Sequence, residues 1–247
     1  MSLRDRLVDA AQSVLHSDAL IRRRFPDVDP VVIGIFSRVR PYTMTSPDRV
    51  FAFCEAVRYV ERRSIPGAIV ECGVWRGGSS MAAALMLGAL GAQERDLCLF
   101  DTFEGMSTPT EADQRARDAA PADRLLETSR RDEKIWCYSP LEEVRANLAS
   151  TGYPSERIHF VEGKVEETLP GAAPETIAIL RLDTDWYEST RHELEHLFPR
   201  LAPGGVLIID DYGAWEGARK AVDEYFASAP ILLNRIDETG RIAVKAG

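Results

Sequence analysis

The chain has 247 residues, of which 45% are hydrophobic, a composition that fits one large α/β domain or two small ones around a sizeable core. Its formal net charge of −9 argues against a nucleic-acid partner, which would require a basic surface to neutralise phosphate groups. Its four cysteines form no CxxC pair, so neither a zinc knuckle nor a disulfide framework is indicated.

The N-terminal stretch MSLRDRLVDAAQSVL has the pattern of an amphipathic helix. It lacks the apolar core of a secretion signal, and no segment of the sequence reads as a membrane span. A second helical pattern, RVFAFCEAVRYVERR, follows a turn-like segment. We therefore expect a soluble, cytoplasmic protein without a membrane partner, in which residues 1–66 form an N-terminal helical cap.

Five short apolar runs then alternate with helical stretches: AIVECGV (68–74), LCLFDTF (97–103), IHFVEG (158–163), IAILRLDTD (177–185) and GVLIIDDY (205–212). Such runs between helices are typical of a parallel sheet covered on both faces. The last segment, ILLNRIDETGRIAVKA, has two strand patterns around the turn ETG, which predicts an antiparallel hairpin at one edge. Five parallel strands and a C-terminal hairpin follow the plan of an α/β, Rossmann-like class I methyltransferase, and we expect one such domain over residues 1–247.

Residues 104–138 interrupt this alternation with a highly charged segment that is too long for an ordinary strand-to-helix connection. The segment can be a solvated surface insertion. Its position past the second strand favours a lid, because ligands of open α/β sheets bind at the carboxyl ends of the strands. The sequence SPLEEV that follows predicts a helix capped by Ser139, with Pro140 at its first position and Glu142 completing a capping box.

The loop VECGVWRGGSS joins the first strand to its helix and contains Gly73, Gly77 and Gly78 without the G-x-G-x-x-G spacing of a dinucleotide site. Glycines allow the backbone to approach a ligand closely, although a plain strand-to-helix turn would look similar. Asp101 ends the second strand and strengthens the ligand interpretation. A carboxylate at that position can accept both ribose hydroxyls of an adenosine.

Three further residues fit the same kind of ligand. Glu71 lies on the first strand, where its carboxylate suits a ligand with an ammonium group. Gly163 and Lys164 follow the third strand and would lie beside the adenine. S-adenosylmethionine combines an adenosine and an ammonium group with no pyrophosphate, so the sequence favours this cofactor.

Four aspartates follow the fourth and fifth parallel strands: LRLDTDW contains Asp183 and Asp185, and LIIDDYG contains Asp210 and Asp211. Adjacent parallel strands end side by side, so these carboxylates should converge and repel one another unless they are protonated or neutralised. A set of oxygen ligands suits Mg²⁺, Mn²⁺ or Ca²⁺ rather than zinc. The alternative is that some of the acids cap helices or pair with Arg181, Arg191 or Arg219.

Six collinear segments from about residue 40 onwards resemble the macrocin O-methyltransferase family: YTMT (42–45), VECGVWRGGSS, DTFEGM, GKVEETLP, RLDTDWYEST and PGGVLIIDDYGAWEGARKAVDEYF. Enzymes of that family methylate sugar hydroxyls on macrolides, aminocoumarins and related glycosylated natural products. The resemblance implies S-adenosylmethionine as methyl donor, a required Mg²⁺ ion, a small glycosylated acceptor and a homo-oligomer. Thr184 and Trp186 depart from the family pattern, which expects glycine and methionine there in many members.

The resemblance also implies roles for individual residues. Asp183, Asp210 and Asp211 match the metal ligands and Asp185 matches the general base, although spacing alone leaves the roles of Asp183 and Asp185 interchangeable. Two adjacent acceptor oxygens would chelate the metal, and the base would take the hydroxyl proton. The implied cofactor site consists of Met44, Glu71, Gly73, Ser79, Asp101, Gly163 and Lys164, with Met44 closing over the cofactor.

Other functions are compatible with parts of the sequence. A catechol- or caffeoyl-type methyltransferase would share the sheet, the metal and the vicinal oxygens, but the paired aspartates of IDDYG and the charged insertion favour the sugar branch. A binding protein could keep the fold without turnover, although the full set of acids argues for an enzyme.

The stretch HELEH, from His192 to His196, matches the H-E-x-x-H pattern of zinc metalloproteases and suggests a zinc hydrolase. Within YESTRHELEHLFPRL, however, an apolar stripe containing Leu194 and Leu197 faces the predicted sheet. At 100° per residue both histidines fall on the opposite side of the helix. A catalytic zinc pair must point into a cleft shared with a third ligand, so we expect this match to be a coincidence on a solvated face.

Overall fold

The computed structural model describes residues 18–247, so the amphipathic pattern predicted near the N-terminus lies outside the described residues. Its nine strands are β1 (Ala68–Cys72), β2 (Leu97–Asp101), β3 (Gln114–Arg115), β4 (Ala120–Pro121), β5 (Ile158–Glu162), β6 (Ile177–Leu182), β7 (Leu201–Ile209), β8 (Asn234–Arg235) and β9 (Arg241–Val244). Seven of them form one sheet in the order β5-β2-β1-β6-β7-β9-β8. The first five in that order pair in parallel, and β9 pairs antiparallel with both β7 and β8. The predicted fold class is confirmed.

Helices surround this sheet: α1 (Asp18–Arg24), α2 (Pro30–Val39), α3 (Pro47–Arg62), α4 (Gly78–Leu90), α5 (Ala122–Thr128), α6 (Leu141–Ala149), α7 (Val165–Thr168), α8 (Tyr187–Leu197) and α9 (Glu216–Phe226). No helix within residues 18–247 combines the length and the apolar character that crossing a membrane requires.

The inner parallel strands β1, β2, β6 and β7 are largely apolar and buried because both faces of the sheet are covered, whereas the edge strand β5 is partly exposed. Ile69 of β1 packs in a core cluster with α2, α3 and α4. Its neighbour Val70 points to the other face and packs with residues of α8 and α9. This arrangement is the physical reason for the continuous apolar runs in the sequence.

The capping box predicted at SPLEEV is wrong. Pro140 has an extended backbone and is the N-cap of α6, so the helix begins at Leu141 and no side chain caps it. Ser139 consequently lies one residue too far from the helix. Its buried hydroxyl has no hydrogen-bond partner among the described residues.

The insertion, residues 104–138, is built into the domain and is not a freely solvated segment. It contains the two-stranded ribbon β3–β4 and the helix α5. Leu126 of α5 packs in a small cluster with Trp186 and Trp215, whose rings meet edge to face with centroids 4.9 Å apart. The Trp186 indole N–H also donates to the carbonyl of Ser107 at 3.1 Å. The insertion is therefore anchored to the segments that follow β6 and β7.

Candidate active site

All of the cofactor, metal and base residues proposed from the sequence line one cavity at the carboxyl ends of the parallel strands. They are Met44, Glu71, Gly73, Ser79, Asp101, Gly163, Lys164, Asp183, Asp185, Asp210 and Asp211. The two halves of the prediction, a nucleotide-type loop and an acidic cluster, thus share a single site. Met44 stands at its rim with 43% of its surface exposed, on the segment that leads into α3.

The glycine loop requires glycine at its first position. Gly73 has a φ of +80°, and a Cβ added there would lie 2.6 Å from the carbonyl carbon of Asp183. The Asp183 N–H in turn donates to the carbonyl of Cys72 at 2.8 Å. The loop after β1 and the acidic segment after β6 therefore touch through their backbones, which a side chain at position 73 would prevent.

Asp101 fixes the conformation of this loop. One oxygen accepts the N–H groups of Val74 and Trp75 at 2.6 and 3.1 Å, and the other accepts the Phe103 N–H at 2.7 Å. Burial raises the pKa of Asp101, and these backbone hydrogen bonds oppose the shift. The ribose contact expected from the sequence would have to share oxygens that already have backbone partners.

Glu71 lies beneath the loop and is buried. Its Oε1 accepts from Arg181 at 2.6 Å, and its Oε2 accepts from the Ser80 hydroxyl. Burial raises the pKa of Glu71, and the neighbouring guanidinium of Arg181 acts against the shift. The carboxylate that was expected to meet an ammonium group is thus already held in position from two sides.

Arg181 joins the cofactor side of the cavity to the acidic side. Besides Glu71, its buried guanidinium contacts Asp183 Oδ2 at 2.7 Å and Asp210 Oδ1 at 2.6 Å. The sequence named Arg181 only as an alternative partner for the acids. In the structure it is both a partner of the acids and a part of the site.

Arg49 of α3 is a residue of the site that the sequence did not reveal. Its guanidinium donates to Asp210 Oδ2 and, through Nε at 2.9 Å, to Asp237. Arg49 and Asp210 are 161 positions apart in the chain. Both carboxylate oxygens of Asp210 therefore accept hydrogen bonds from arginines, one from Arg49 and one from Arg181. In this respect Asp210 differs from the other three aspartates of the cavity.

Asp183, Asp185 and Asp211 form the cluster that can hold a metal ion, since one carboxylate oxygen from each lies within 4.8 Å of the others. Asp211 Oδ2 is buried and has no hydrogen-bond partner in the described part of the chain. Burial raises the pKa values of Asp183 and Asp211 well above the usual range, and the nearby carboxylates add to the shifts. Such a set of poorly compensated oxygens is what a hard divalent cation would neutralise.

Asp185 occupies an unusual backbone position within this cluster. Its φ is +68°, in the left-handed region that few residues other than glycine adopt. Burial raises the pKa of Asp185 to about 7, while side-chain hydrogen bonds to Asp211 and Trp215 act in the opposite direction. A carboxylate with such a pKa can accept a proton near neutral pH.

HELEH lies on α8, and its histidines do not belong to the metal cluster. The rings of His192 and His196 are 4.3 Å apart, and His192 Nε2 lies 3.4 Å from the carbonyl oxygen of Leu169. Both histidines are half-buried, which corrects the expectation of a fully solvated face. Within residues 18–247, the group of acids, cysteines and histidines that could hold a metal contains aspartates alone.

Comparisons with known proteins point to one family. Residues 32–243 match the family described as Macrocin-O-methyltransferase (TylF). The 8-demethyl-8-(2,3-dimethoxy-alpha-L-rhamnosyl)-tetracenomycin-C 4'-O-methyltransferase of Streptomyces olivaceus is 38% identical over 217 residues, which cover 87% of this chain and 80% of the relative. The demethyldecarbamoylnovobiocin O-methyltransferase of Streptomyces niveus is 34% identical over 201 residues, which cover 81% of this chain and 74% of the relative. The solved structure of the O-methyltransferase NovP superposes with a TM-score of 0.72 at 33% identity and covers 83% of each chain.

Proposed function

We propose that this chain, which belongs to the macrocin O-methyltransferase family, moves a methyl group from S-adenosylmethionine to a sugar hydroxyl of a glycosylated natural product. Mg²⁺ would be held by Asp183, Asp210 and Asp211, and Asp185 would act as general base. The observation that carries the proposal is the meeting of the glycine loop and the unneutralised aspartates in a single cavity.

Membership of this family decides between the alternatives drawn from the sequence. The chain is an O-methyltransferase, and so an enzyme rather than a binding protein without turnover. The family match and the relatives at 33–38% identity support the macrocin branch, whereas a putative caffeoyl-CoA O-methyltransferase shares the fold at 14% identity. The two histidines of HELEH are half-buried and, within residues 18–247, belong to no group that could hold a metal, so they give no support to a zinc hydrolase.

The cofactor half of the cavity fits S-adenosylmethionine. Gly73 lets the loop after β1 pack directly against the backbone of Asp183, and Glu71, held by Ser80 and Arg181, lines the cavity where an ammonium group would bind. Gly163 and Lys164 line the same cavity after β5. We assign Asp101 chiefly to holding the loop, with any ribose contact made by oxygens it shares with the backbone. Ser79 and Met44 complete this half of the site, with Met44 at its mouth.

The acidic half fits a divalent cation by its charge. Among the described residues, two guanidinium groups, those of Arg181 and Arg49, make the ion pairs found within the set of five carboxylates of Glu71, Asp183, Asp185, Asp210 and Asp211. The uncompensated negative charge and the unpartnered oxygen of Asp211 leave room for a hard cation with oxygen ligands. Asp210 would join the ligands by giving up a contact with one of its arginines.

The residues of the chain divide the chemistry between them. When bound, S-adenosylmethionine supplies an activated methyl group, and Mg²⁺ supplies Lewis-acid stabilisation of the oxygen that becomes an alkoxide. Asp185 would accept the proton of the attacking hydroxyl, because its half-buried carboxylate belongs to the carboxylate cluster and lines the cavity. Arg181 holds Glu71 of the cofactor half and Asp183 and Asp210 of the acidic half in fixed relative positions, which would help to align the acceptor with the cofactor.

The insertion supplies the acceptor side of the cavity, to which it contributes Met106, Ser107 and Cys137. We propose that it acts as a lid over the acceptor within a single methyltransferase domain, and that the region before β1 forms a helical cap. A sugar acceptor follows from the relatives, whose names place the transferred methyl group on rhamnosyl and novobiocin compounds. We also propose that the protein forms a homo-oligomer, as the family resemblance implies.

The test is methyl transfer from methyl-labelled S-adenosylmethionine, with MgCl₂, to a panel of deoxysugar glycosides of polyketide and aminocoumarin aglycones. We expect label in the sugar of at least one acceptor. The variant Asp185→Asn should lower kcat by roughly 10²–10⁴-fold, the usual contribution of a general base. It should leave the affinity for S-adenosylmethionine within about threefold. Because Asp185 belongs to the carboxylate cluster, Mn²⁺ affinity within about threefold of wild type would support its role as base, whereas loss of Mn²⁺, as expected for Asp183→Asn, would make Asp185 a metal ligand instead. Wild-type turnover by Asp185→Asn would refute the assignment of the base.

A further inference from the structure

Glu193, the central glutamate of HELEH, is fully buried, with 0% of its surface exposed. Glutamate is almost never buried without a partner, because removing a carboxyl group from water is unfavourable. Its Oε2 accepts a hydrogen bond from the Thr184 hydroxyl at 3.2 Å, and its Oε1 has no partner in the described structure. Burial raises the pKa of Glu193 well above its usual range. The Glu193 carboxyl thus lies under the active site, where it is hydrogen-bonded to Thr184 and adjoins the buried Cys72 thiol.

The segment that Thr184 belongs to needs support. Thr184 stands between Asp183 and Asp185, and the Trp186 N–H donates back to the Thr184 carbonyl at 2.8 Å, which closes a tight turn. The positive φ of Asp185 makes this turn one that a free chain would seldom adopt. A strained backbone of this kind persists only where the surroundings hold it.

Each part of the turn is held by a different neighbour. The backbone of Asp183 bonds to Cys72, and its carboxylate contacts Arg181. Trp186 is fixed through its indole to the carbonyl of Ser107. Between them, the Thr184 side chain is held by Glu193 from the side of α8.

We propose that Thr184 and Glu193 are positioning residues for the methyl-transfer reaction: their hydrogen bond holds the turn so that the Asp185 carboxylate faces the acceptor. Glu193 acts through Thr184 and touches no reacting atom. The inference rests on the proposed function, since it takes Asp185 as the base. It also gives HELEH a role, because the glutamate points inward from α8 while the histidines remain outside the metal cluster.

Matched substitutions separate the hydrogen bond from side-chain volume. Thr184→Val removes the hydroxyl and keeps the branched shape, whereas Thr184→Ser keeps the hydroxyl. Glu193→Met removes the acceptor at similar length, whereas Glu193→Gln keeps an acceptor oxygen. Glu195→Gln, on the exposed side of the same helix, controls for the loss of a glutamate.

We expect Thr184→Val and Glu193→Met each to lower kcat by about 10- to 100-fold, because small misplacements of a reacting group carry penalties of that order. The KM for S-adenosylmethionine and the Kd for Mn²⁺ should stay within about threefold of wild type, because the strand and Arg181 hold Asp183. The double variant should be no slower than the slower single variant, the signature of two residues acting as a unit. Thr184→Ser and Glu193→Gln should recover at least about a third of the wild-type kcat.

Tryptophan emission gives a readout that needs no turnover, since Trp186 adjoins the turn and Trp215 contacts Asp185. Thr184→Val should shift the emission spectrum, and Thr184→Ser should not. Full turnover by Thr184→Val, or additive losses in the double variant, would overturn the proposal that the Thr184–Glu193 hydrogen bond positions Asp185. A parallel fall in kcat, Mn²⁺ affinity and melting temperature would also overturn it, since it would indicate a merely structural role.

The two proposals fail in different ways. If Asp185 is not the base, Asp185→Asn turns over normally while the emission shift of Thr184→Val persists. If Asp185 is the base but the Thr184–Glu193 hydrogen bond does not position it, Asp185→Asn is inactive, while Thr184→Val turns over normally with an unshifted emission spectrum. In the Asp185→Asn background, Thr184→Val should produce no further loss.

Discussion

Replacing Gly73 with alanine tests whether the glycine loop and the metal site are one rigid unit. The added Cβ would lie 2.6 Å from the carbonyl carbon of Asp183, so one of the two backbones has to move by roughly an ångström. The φ of +80° adds the strain of a left-handed alanine, about 1 kcal/mol. With about 1–3 kcal/mol for the overlap, the expected loss of stability is about 2–4 kcal/mol.

Gly91→Ala is the matched control. Gly91 ends α4 with a φ of +69°, and a Cβ there would meet no described atom within 4 Å beyond its own helix and chain neighbours. It therefore carries the backbone strain alone, about 1 kcal/mol. For a chain of this size we expect a fall in melting temperature of roughly 2–4 °C for Gly91→Ala and roughly 4–16 °C for Gly73→Ala.

Calorimetry gives the melting temperatures, and titration with Mn²⁺ monitored by electron paramagnetic resonance gives the metal affinity. Gly73→Ala should weaken Mn²⁺ binding at least about tenfold, because the displaced backbone carries Asp183 with it. Gly91→Ala should bind Mn²⁺ as the wild type does. If Gly73→Ala and Gly91→Ala have the same melting temperature and Gly73→Ala binds Mn²⁺ normally, the close approach of the two loops has no energetic consequence, and the predicted coupling of loop and metal site is refuted.

Three further outcomes follow from the structure. Arg181→Met leaves buried carboxylates without their cation and should destabilise the fold by about 3–5 kcal/mol in urea unfolding, whereas Arg191→Met, in an exposed helix pair, should leave the urea midpoint in place. Burial acts to raise the pKa of Asp237, but hydrogen bonds from Ser46 and backbone N–H groups, together with Arg49, outweigh it and lower the pKa below 3.8. The ionised Asp237 carboxylate therefore contributes to stability above pH 3.8, and this contribution is lost as the pH falls through the lowered folded-state pKa. The free energies of unfolding of wild type and Asp237→Asn should consequently converge in acid. A constant difference between the two free energies down to about pH 3 would contradict this. Leu126→Ala should remove about 2–4 kcal/mol of packing from the insertion and speed trypsin cleavage after Arg130 and Arg131, which are already exposed, because cleavage requires the backbone to loosen; unchanged digestion would show that the tryptophan cluster does not anchor the insertion.

The sheet and the gathering of the acids could be predicted because both follow from local pattern. Apolar runs identify strands covered on both faces, and residues that follow adjacent parallel strands must meet at one edge of the sheet. The sequence therefore predicts that Asp183, Asp185, Asp210 and Asp211 converge, and the structure brings three of them into one cluster. Their separation from Asp210 was not foreseen, because it depends on Arg49, a residue 161 positions away on another helix.

Other details depended on geometry that the sequence does not encode locally. Asp101 was assigned to a ribose, but its position at the end of β2 also faces the N–H groups of the glycine loop, which occupy it. The capping box failed by a single residue, because Pro140 stayed extended and shifted the helix start to Leu141. In HELEH the apolar stripe was correctly located, but the pattern gave no reason to bury Glu193.

If these aspartates hold a divalent cation, methyl transfer should depend on that cation, which a titration of chelated enzyme with Mg²⁺ measures. Chelated enzyme should lose transfer of label to a glycoside acceptor and regain it with Mg²⁺, while it binds one Mn²⁺ per chain. Asp211→Asn should abolish both, whereas Asp223→Asn, a surface control bonded to Tyr212, should abolish neither. Full methyl transfer in the presence of chelator, or normal Mn²⁺ binding by Asp211→Asn, would contradict the account.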